Sequence, residues 1–132
     1  MKYMAKYYLI NHSWESFVKT KEYCGFIDKN ERDLVNLDDI IVYYGQGVIF
    51  GTFKVIKKVD DEFTSWKKPY PYQIKLSLLL LSNKGLGARF LQERFKIAKE
   101  DHTYSNIIEL SEEEYNIIKQ AIEEGIKEIK LE

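Results

Sequence analysis

The chain has 132 residues, of which 45% are hydrophobic and 31% are charged. This length suits one core, so we expect residues 1–132 to form a single domain and exclude a two-domain enzyme. The apolar content offsets the entropy of folding, which excludes a wholly disordered chain. The longest apolar stretch is far shorter than the ~20 residues of a membrane span, and the first residues have no signal-peptide pattern. We therefore expect a cytoplasmic protein with no membrane partner.

Charge is distributed unevenly along the sequence, although the net charge is only −1. Residues 109–132 carry a net charge of −5, and the remainder carries +4. A basic excess of this size permits a phosphate-binding face without requiring one. The aromatic content of 14% suits core packing and also stacking on nucleobases.

The sequence begins with a predicted strand followed by a predicted helix. Residues 7–10 (YYLI) predict the strand, and the short polar side chains of residues 11–13 favour a turn or a helix cap. Spacings of three and four among Trp14, Phe17 and Val18 predict a short helix that buries these side chains. Residues 23–26 follow, with Gly25 at a tight point of the backbone.

A hairpin and a further strand are predicted in the middle of the chain. Residues 40–44 and 48–56 are rich in β-branched and aromatic side chains, and the glycines at 45 and 47 predict a turn between them. Gly51 predicts a bend or a close backbone approach within the second strand. Residues 72–81 predict another strand, with Ile74, Leu76 and Leu78 on one face.

The C-terminal part predicts two helices. Residues 88–99 have helical spacing and a basic exposed side, whereas Ser111 followed by Glu114 forms a capping box that predicts a helix start. The inner face of this last helix is predicted to consist of Tyr115, Ile118, Ala121 and Ile122.

Candidate catalytic groups do not form a set. His12 and His102 are the two histidines, and no zinc-ligand spacing is present, so we expect no metal and no cofactor. Cys24 is the single cysteine, and a lone cysteine in an apolar segment is more often a core residue than a nucleophile. The carboxylate pair Asp38–Asp39 is interpreted as solvated loop charge. We therefore expect a binding protein rather than an enzyme.

Aromatic and basic residues are the stronger candidates for function. Trp66 lies in the polar segment 63–69, where its indole either folds back onto the core or stacks on a nucleobase. Nearby and downstream cations either form a solvated surface or contact phosphates. These cations are Lys67, Lys68, Arg89, Arg94 and Lys96.

The ordered set of these segments resembles an EVE domain of the PUA-like superfamily, which also includes YTH and ASCH domains. The resemblance is carried by residues 7–11 (YYLIN), 23–26 (YCGF), 37–44 (LDDIIVYY), 50–55 (FGTFKV) and 69–75 (PYPYQIK). It covers nearly the whole chain. It implies an α+β fold, in which a curled, mostly antiparallel β-sheet or barrel is flanked by helices.

The resemblance also implies a nucleic-acid-binding domain, which reads a single flipped and modified base in DNA or RNA. Stacking on aromatic rings and hydrogen bonds to the base edge would provide recognition. Relatives usually have Trp where this chain has Cys24, so one aromatic wall of the pocket would be either missing or supplied by Tyr23, Phe26 or Tyr104. The residues implied for this pocket are Asn11, His12, Ser13, Cys24, Gly25, Trp66, His102 and Tyr104.

Two alternatives remain open from the sequence. One is a small enzyme or small-molecule-binding protein that uses Cys24 and a histidine. The other is a recruitment module of a restriction or RNA-modification complex, whose acidic helix at 112–114 contacts a protein partner.

Overall fold

The computed structural model describes residues 4–100 and 106–130. Within these ranges the chain forms six strands, four α-helices and one 3₁₀ turn at Arg89–Leu91. The strands are β1 (Tyr7–Asn11), β2 (Tyr23–Phe26), β3 (Ile40–Gly45), β4 (Val48–Asp60), β5 (Tyr72–Gly87) and β6 (Ile107–Leu110). The helices are α1 (Trp14–Lys19), α2 (Lys29–Arg32), α3 (Gln92–Glu100) and α4 (Glu112–Glu123).

The strands form one mixed sheet in the order β2-β5-β4-β3-β1-β6. β1 and β3 are parallel, and the other neighbouring strands are antiparallel. Three register shifts between the long strands β4 and β5 bend the sheet, because bulges increase local twist. The predicted α+β fold, with a curled and mostly antiparallel sheet flanked by helices, is confirmed.

Alternating side chains of the strands build a separate apolar cluster on each face of the sheet. In β1, Tyr8 and Ile10 join the cluster that contains Phe17 of α1, which we call the α1 face. Leu9 lies between them and joins the opposite cluster, which contains Phe95 of α3 and residues of α4; we call this the α3 face.

The β3–β4 hairpin forms as the glycines predict. Its two loop residues, Gln46 and Gly47, have φ angles of 51° and 83°, as a type I′ turn requires. The close approach predicted at Gly51 is also present, because an added Cβ would lie 2.6 Å from the carbonyl oxygen of Leu80.

The helix predicted at Ser111 is confirmed with its capping box. The Ser111 hydroxyl accepts a hydrogen bond from the Glu114 N–H at 3.0 Å, and the Glu114 carboxylate accepts one from the Ser111 N–H at 2.9 Å. Tyr115, Ile118 and Ala121 are buried against the α3 face.

The predicted burial of Trp14 and Val18 is wrong. Trp14 is 55% exposed and Val18 is 52% exposed, whereas Phe17 is buried. α1 contains only six residues, so a single side chain of its inner stripe reaches the core. Leu78 is likewise half-exposed, because the register shift opposite Thr52 and Phe53 interrupts the alternation of β5.

The interpretation of Asp39 as solvated charge is also wrong. Its side chain is fully buried and accepts hydrogen bonds from the backbone N–H groups of Lys6 at 3.0 Å and Asn36 at 2.8 Å. Burial of a carboxylate is tolerated where such donors surround it. Asp39 therefore organises the entry to β3. Among the residues described, no helix is long and apolar enough to span a membrane.

Candidate functional site

The segment between β4 and β5, residues 61–71, contains Trp66. The buried side chain of Gln73 holds this segment in place through hydrogen bonds. Gln73 donates through Nε2 to the carbonyl oxygens of Phe63 at 2.6 Å and Tyr70 at 2.9 Å. Its Oε1 accepts hydrogen bonds from the N–H groups of Glu62 at 3.1 Å and Phe63 at 2.9 Å. The amide thus joins the two ends of the segment, and we call this the Gln73 clamp.

Trp66 folds back onto the protein. Most of the indole is therefore packed in the core, which is the first of the two alternatives that the sequence left open. The side chain is 8% exposed, and its Nε1–H donates to the carbonyl oxygen of Ser16 at 3.3 Å. Its ring lies edge-on to Phe63 and Tyr70, with centroid distances of 4.6 and 5.5 Å. Gly25 is needed beneath these rings, because an added Cβ would approach the Tyr70 Cβ to 2.4 Å.

A solvent-accessible cavity of about 240 Å³ lies between Trp66 and the start of α1, and we call it the Trp66 cavity. Its walls combine aromatic surface, hydroxyl groups, one carboxylate and cations, so the cavity offers both ring contacts and hydrogen-bonding groups to a ligand. The lining consists of Ser13, Glu15, Ser16, Lys19, Trp66, Lys67, Lys68 and Tyr70. The Ser13 hydroxyl also caps α1, accepting the Ser16 N–H at 3.1 Å.

The lysines at the rim of the cavity differ in their ion-pair and hydrogen-bond partners. Lys67 is paired with Glu15 at 3.0 Å, and Lys19 donates to the carbonyl oxygen of Ser65 at 3.0 Å. Lys68 is exposed and has no carboxylate partner among the described residues. Lys68 is therefore the rim cation most available to an anionic ligand.

His12 lies within a group of aromatic rings next to the cavity. Its ring centroid is 5.8 Å from Phe26, 5.7 Å from Tyr43 and 6.0 Å from Tyr70. Its Nε2 is buried and has no hydrogen-bond partner among the described residues. Burial lowers the pKa of His12 to about 4, so the imidazole is neutral at pH 7. Tyr70 lines the cavity and also contacts His12, which is not among the lining residues.

The backbone of β1 fixes the position of His12 and its neighbour. The His12 N–H donates to the carbonyl oxygen of Tyr44 at 2.8 Å, and the Asn11 N–H donates to that of Asn106 at 2.8 Å. Both side chains are half-buried. Asn11, His12 and Ser13 thus follow one another at the end of β1, and of these three Ser13 lines the Trp66 cavity.

Cys24 is a core residue, and its predicted place in the pocket is corrected. The side chain is fully buried within the cluster of the α1 face and does not line the Trp66 cavity. Burial, and to a smaller extent the charge of Glu31, raises the pKa of the thiol. The thiol is therefore protonated at neutral pH, which is unfavourable for a nucleophile. The described residues hold no group of three metal ligands.

The predicted phosphate-binding residues do not share one surface. Lys67 and Lys68 border the Trp66 cavity, whereas Arg94 and Lys96 belong to α3, which packs on the opposite face of the sheet. Arg94 is also occupied, because its guanidinium bonds the Glu114 carboxylate at 2.5 Å and the Glu109 carbonyl oxygen at 3.0 Å. Its role as a phosphate ligand is corrected to that of a link between α3 and the start of α4.

Arg89 lies apart from both groups. It is exposed, and its side chain approaches the β3–β4 turn, where an added Cβ at Gly47 would lie 3.2 Å from its Cγ. His102 and Tyr104, which were also predicted for the pocket, lie outside the described residues.

Sequence reasoning missed Gln73, Tyr70 and Phe63 as parts of this site. Gln73 has a recognisable signal, since an amide within the apolar run of β5 needs buried partners. Tyr70 and Phe63 have none, because their ring contacts depend on how the segment folds back.

Comparisons with known proteins identify the fold. No protein-family model matches the sequence, and no curated protein matches it. Solved structures do match. One is the YTH domain of the Zygosaccharomyces rouxii MRB1 protein in complex with N6-methyladenosine RNA, with a TM-score of 0.63 and 14% identity over 89% of this chain and 86% of the other.

Two further solved structures have a similar fold. The Mmi1 YTH domain in complex with RNA has a TM-score of 0.64 and 15% identity, covering 96% of this chain and 85% of that one. Human THYN1 in complex with 5-methylcytosine-containing DNA has a TM-score of 0.54 and 11% identity, covering 90% of this chain and 98% of that one. The chain therefore shares its fold with YTH domains and with THYN1.

Proposed function

We propose that the chain is an EVE-type reader domain, which binds DNA or RNA and takes up one flipped, methylated base. The observation that carries this proposal is the Trp66 cavity, together with the unpartnered Nε2 of His12 behind Tyr70. The fold supports it, because neighbours of the same fold were solved with N6-methyladenosine RNA and 5-methylcytosine DNA.

In this proposal the base enters the cavity and lies against Tyr70 and the small part of the Trp66 ring that stays exposed. Aromatic faces stack on any base, so they contribute affinity with little selectivity. Selectivity comes from the hydrogen-bonding edge, which meets Ser13, Asn11 and, once Tyr70 turns aside, His12. A buried nitrogen without a partner gains most from such a bond, because it has already lost its water.

The proposal includes no catalytic step and no cofactor. A nucleophile and a base would have to face each other in the cavity. Cys24 is protonated in the core, and His12 is surrounded by aromatic rings. Binding alone is what this arrangement supports.

The direct test is an anisotropy titration of short labelled RNA and DNA strands that carry plain, N6-methyladenine or 5-methylcytosine bases. We expect saturable binding that prefers one methylated base. His12→Phe keeps a ring of similar shape and removes the buried nitrogen. We expect this variant to remain folded and to lose about ten-fold in affinity for the preferred base, as one hydrogen bond is removed.

The control for this test is Lys96→Ala, which alters an exposed cation on the opposite face of the sheet. Its affinity should equal that of the unaltered chain. Absence of binding across the panel, or equal affinity for all bases in the unaltered chain and in His12→Phe, would contradict base reading.

A protein-interaction module is the second candidate, and the outer edge of β5 favours it. β2 pairs with β5 only over Tyr72–Lys75, and between Leu76 and the bridge of Gly87 to Glu128 this edge has no strand partner among the described residues. Leu78 and Leu79 are 49% and 44% exposed there. Exposed apolar edges pair readily with other chains. Leu79→Lys should abolish such an association, measured by sedimentation, without changing nucleic-acid affinity.

A further inference from the structure

Trp14 offers a fixed aromatic surface to solvent. The indole lies edge-on to Phe50, with ring centroids 4.9 Å apart and planes at 62°, and tilted over Phe17 at 5.6 Å. Phe17 and Phe50 are both buried. They hold the indole from below and leave about half of it exposed. Such a ring differs from a mobile surface side chain, since its orientation is set before any ligand arrives.

His12 connects Trp14 to the Trp66 cavity. On one side its ring contacts Tyr70, which contacts Trp66. On the other side its carbonyl oxygen lies against Gly45, where an added Cβ would be 2.3 Å from it and 3.1 Å from the Phe50 ring. Trp14 rests on that ring. The two indoles therefore flank the end of β1, where the proposed base-reading side chains lie.

Cations accompany both aromatic surfaces. Lys19 and Lys68 line the Trp66 cavity, and the Lys21 ammonium lies 5.2 Å from the Phe17 ring centroid beneath Trp14. Alternating rings and cations are the features by which proteins hold successive bases of a single strand. In a duplex the neighbouring base stays stacked within the helix and is not available to a protein ring.

We propose that Trp14 is a second stacking site, for the base next to the one held in the Trp66 cavity. The ligand is then a single-stranded nucleic acid of at least two nucleotides. This inference rests on the proposed function and adds to it a second subsite and the strandedness of the ligand.

The test compares two ligands on the same variants: the preferred methylated base as a mononucleotide, and a single strand with that base at its centre. Affinities are measured by calorimetry for the chain itself, Trp14→Ala and Trp14→Leu. Leucine keeps an apolar contact on Phe50 but lacks the π-face, so it covers the case in which alanine unfolds the helix. We expect both variants to lose about ten-fold in affinity for the strand and none for the mononucleotide.

Ile97→Ala is the matched control, because Ile97 is also 55% exposed but lies on α3. It should bind both ligands normally. Unchanged strand affinity in both Trp14 variants overturns the inference while leaving the proposed function intact. An equal loss for mononucleotide and strand also overturns it, because Trp14 would then act on the first base. If the unaltered chain binds neither ligand, the proposed function fails and the inference fails with it.

Discussion

His12 carries a loss of stability, because its buried ring nitrogen has no hydrogen-bond partner among the described residues. Its ring is held among Phe26, Tyr43 and Tyr70, and its Nε2 is buried without a partner in the described part of the chain. An unsatisfied buried polar atom is destabilising by roughly 1–3 kcal/mol. In a region otherwise packed with apolar rings, this atom is the hydrogen-bonding group that the proposed ligand would reach.

The shifted pKa of His12 predicts a dependence of stability on pH. The pKa is about 4 in the folded chain and 6.5 for an ordinary histidine, so the unfolded chain binds this proton first as pH falls. The free energy of unfolding has its full value above pH 6.5. It decreases toward pH 4, by about 3 kcal/mol for a shift of this size. Urea unfolding at a series of pH values measures this decrease.

His12→Phe separates this effect from that of other titrating groups. The pKa of Glu114 is lowered because the Ser111 N–H and Arg94 outweigh the opposing effect of burial, so its contribution to stability is also lost in acid. The relevant quantity is therefore the difference in the free energy of unfolding between the unaltered chain and His12→Phe at each pH. We expect the variant to be the more stable one at pH 5, with a flatter profile. Parallel profiles would show that His12 is solvated.

At the scale of elements, local signals predicted much of the fold, whereas long-range contacts determined the site. The capping box at Ser111 and the turn at Gln46–Gly47 depend on neighbouring residues, and both formed as predicted. The two tryptophans did not follow their local patterns. Trp14 has helical spacing yet is exposed, and Trp66 has a polar neighbourhood yet is buried.

The reason lies in contacts distant in sequence. Trp66 is buried because its Nε1–H reaches Ser16, 50 residues away, and because Gly25 leaves space for its ring. No periodicity within residues 63–69 encodes either contact. The predicted phosphate ligands lie on two faces of the sheet for the same reason. The order of the strands, which no local pattern encodes, places α3 and the Trp66 cavity on opposite faces.

The Gln73 clamp predicts that one β5 side chain controls the whole 61–71 segment. Gln73→Leu removes four hydrogen bonds, which we expect to lower the free energy of unfolding by about 2–4 kcal/mol. The freed segment should also expose Trp66. Urea unfolding measures the first effect. Emission of Trp66, recorded in a Trp14→Phe background so that a single tryptophan fluoresces, should shift to longer wavelength.

Gln120→Leu is the matched control for this substitution. Gln120 is exposed and bonds only Glu124 at 2.9 Å among the described residues, so its loss should change stability by less than about 0.5 kcal/mol. Trp66 emission that stays unchanged in Gln73→Leu would mean that the ring contacts with Phe63 and Tyr70 alone hold the segment.

For the molecule as a whole, the face of the sheet to which a nucleic acid binds depends on where unpaired positive charge lies. The net charge is only −1, so attraction of a polyanion has to be local. Ion pairs within the protein occupy Arg94 and Lys67, at Glu114 and Glu15. Lys68 on the α1 face and Lys96 on the α3 face are both exposed lysines, and they offer a matched comparison between the two sides of the sheet.

Lys68→Ala should therefore weaken nucleic-acid binding, and Lys96→Ala should not. A lysine that contacts a phosphate releases a counterion, so its removal lowers the slope of log affinity against log salt by about 1. The loss should be the same for methylated and plain bases, because a phosphate contact carries no sequence information. Titrations at several salt concentrations measure both quantities. Equal losses in the two variants would place the strand across both faces, whereas a loss confined to Lys96→Ala would move the interface to α3 and away from the Trp66 cavity.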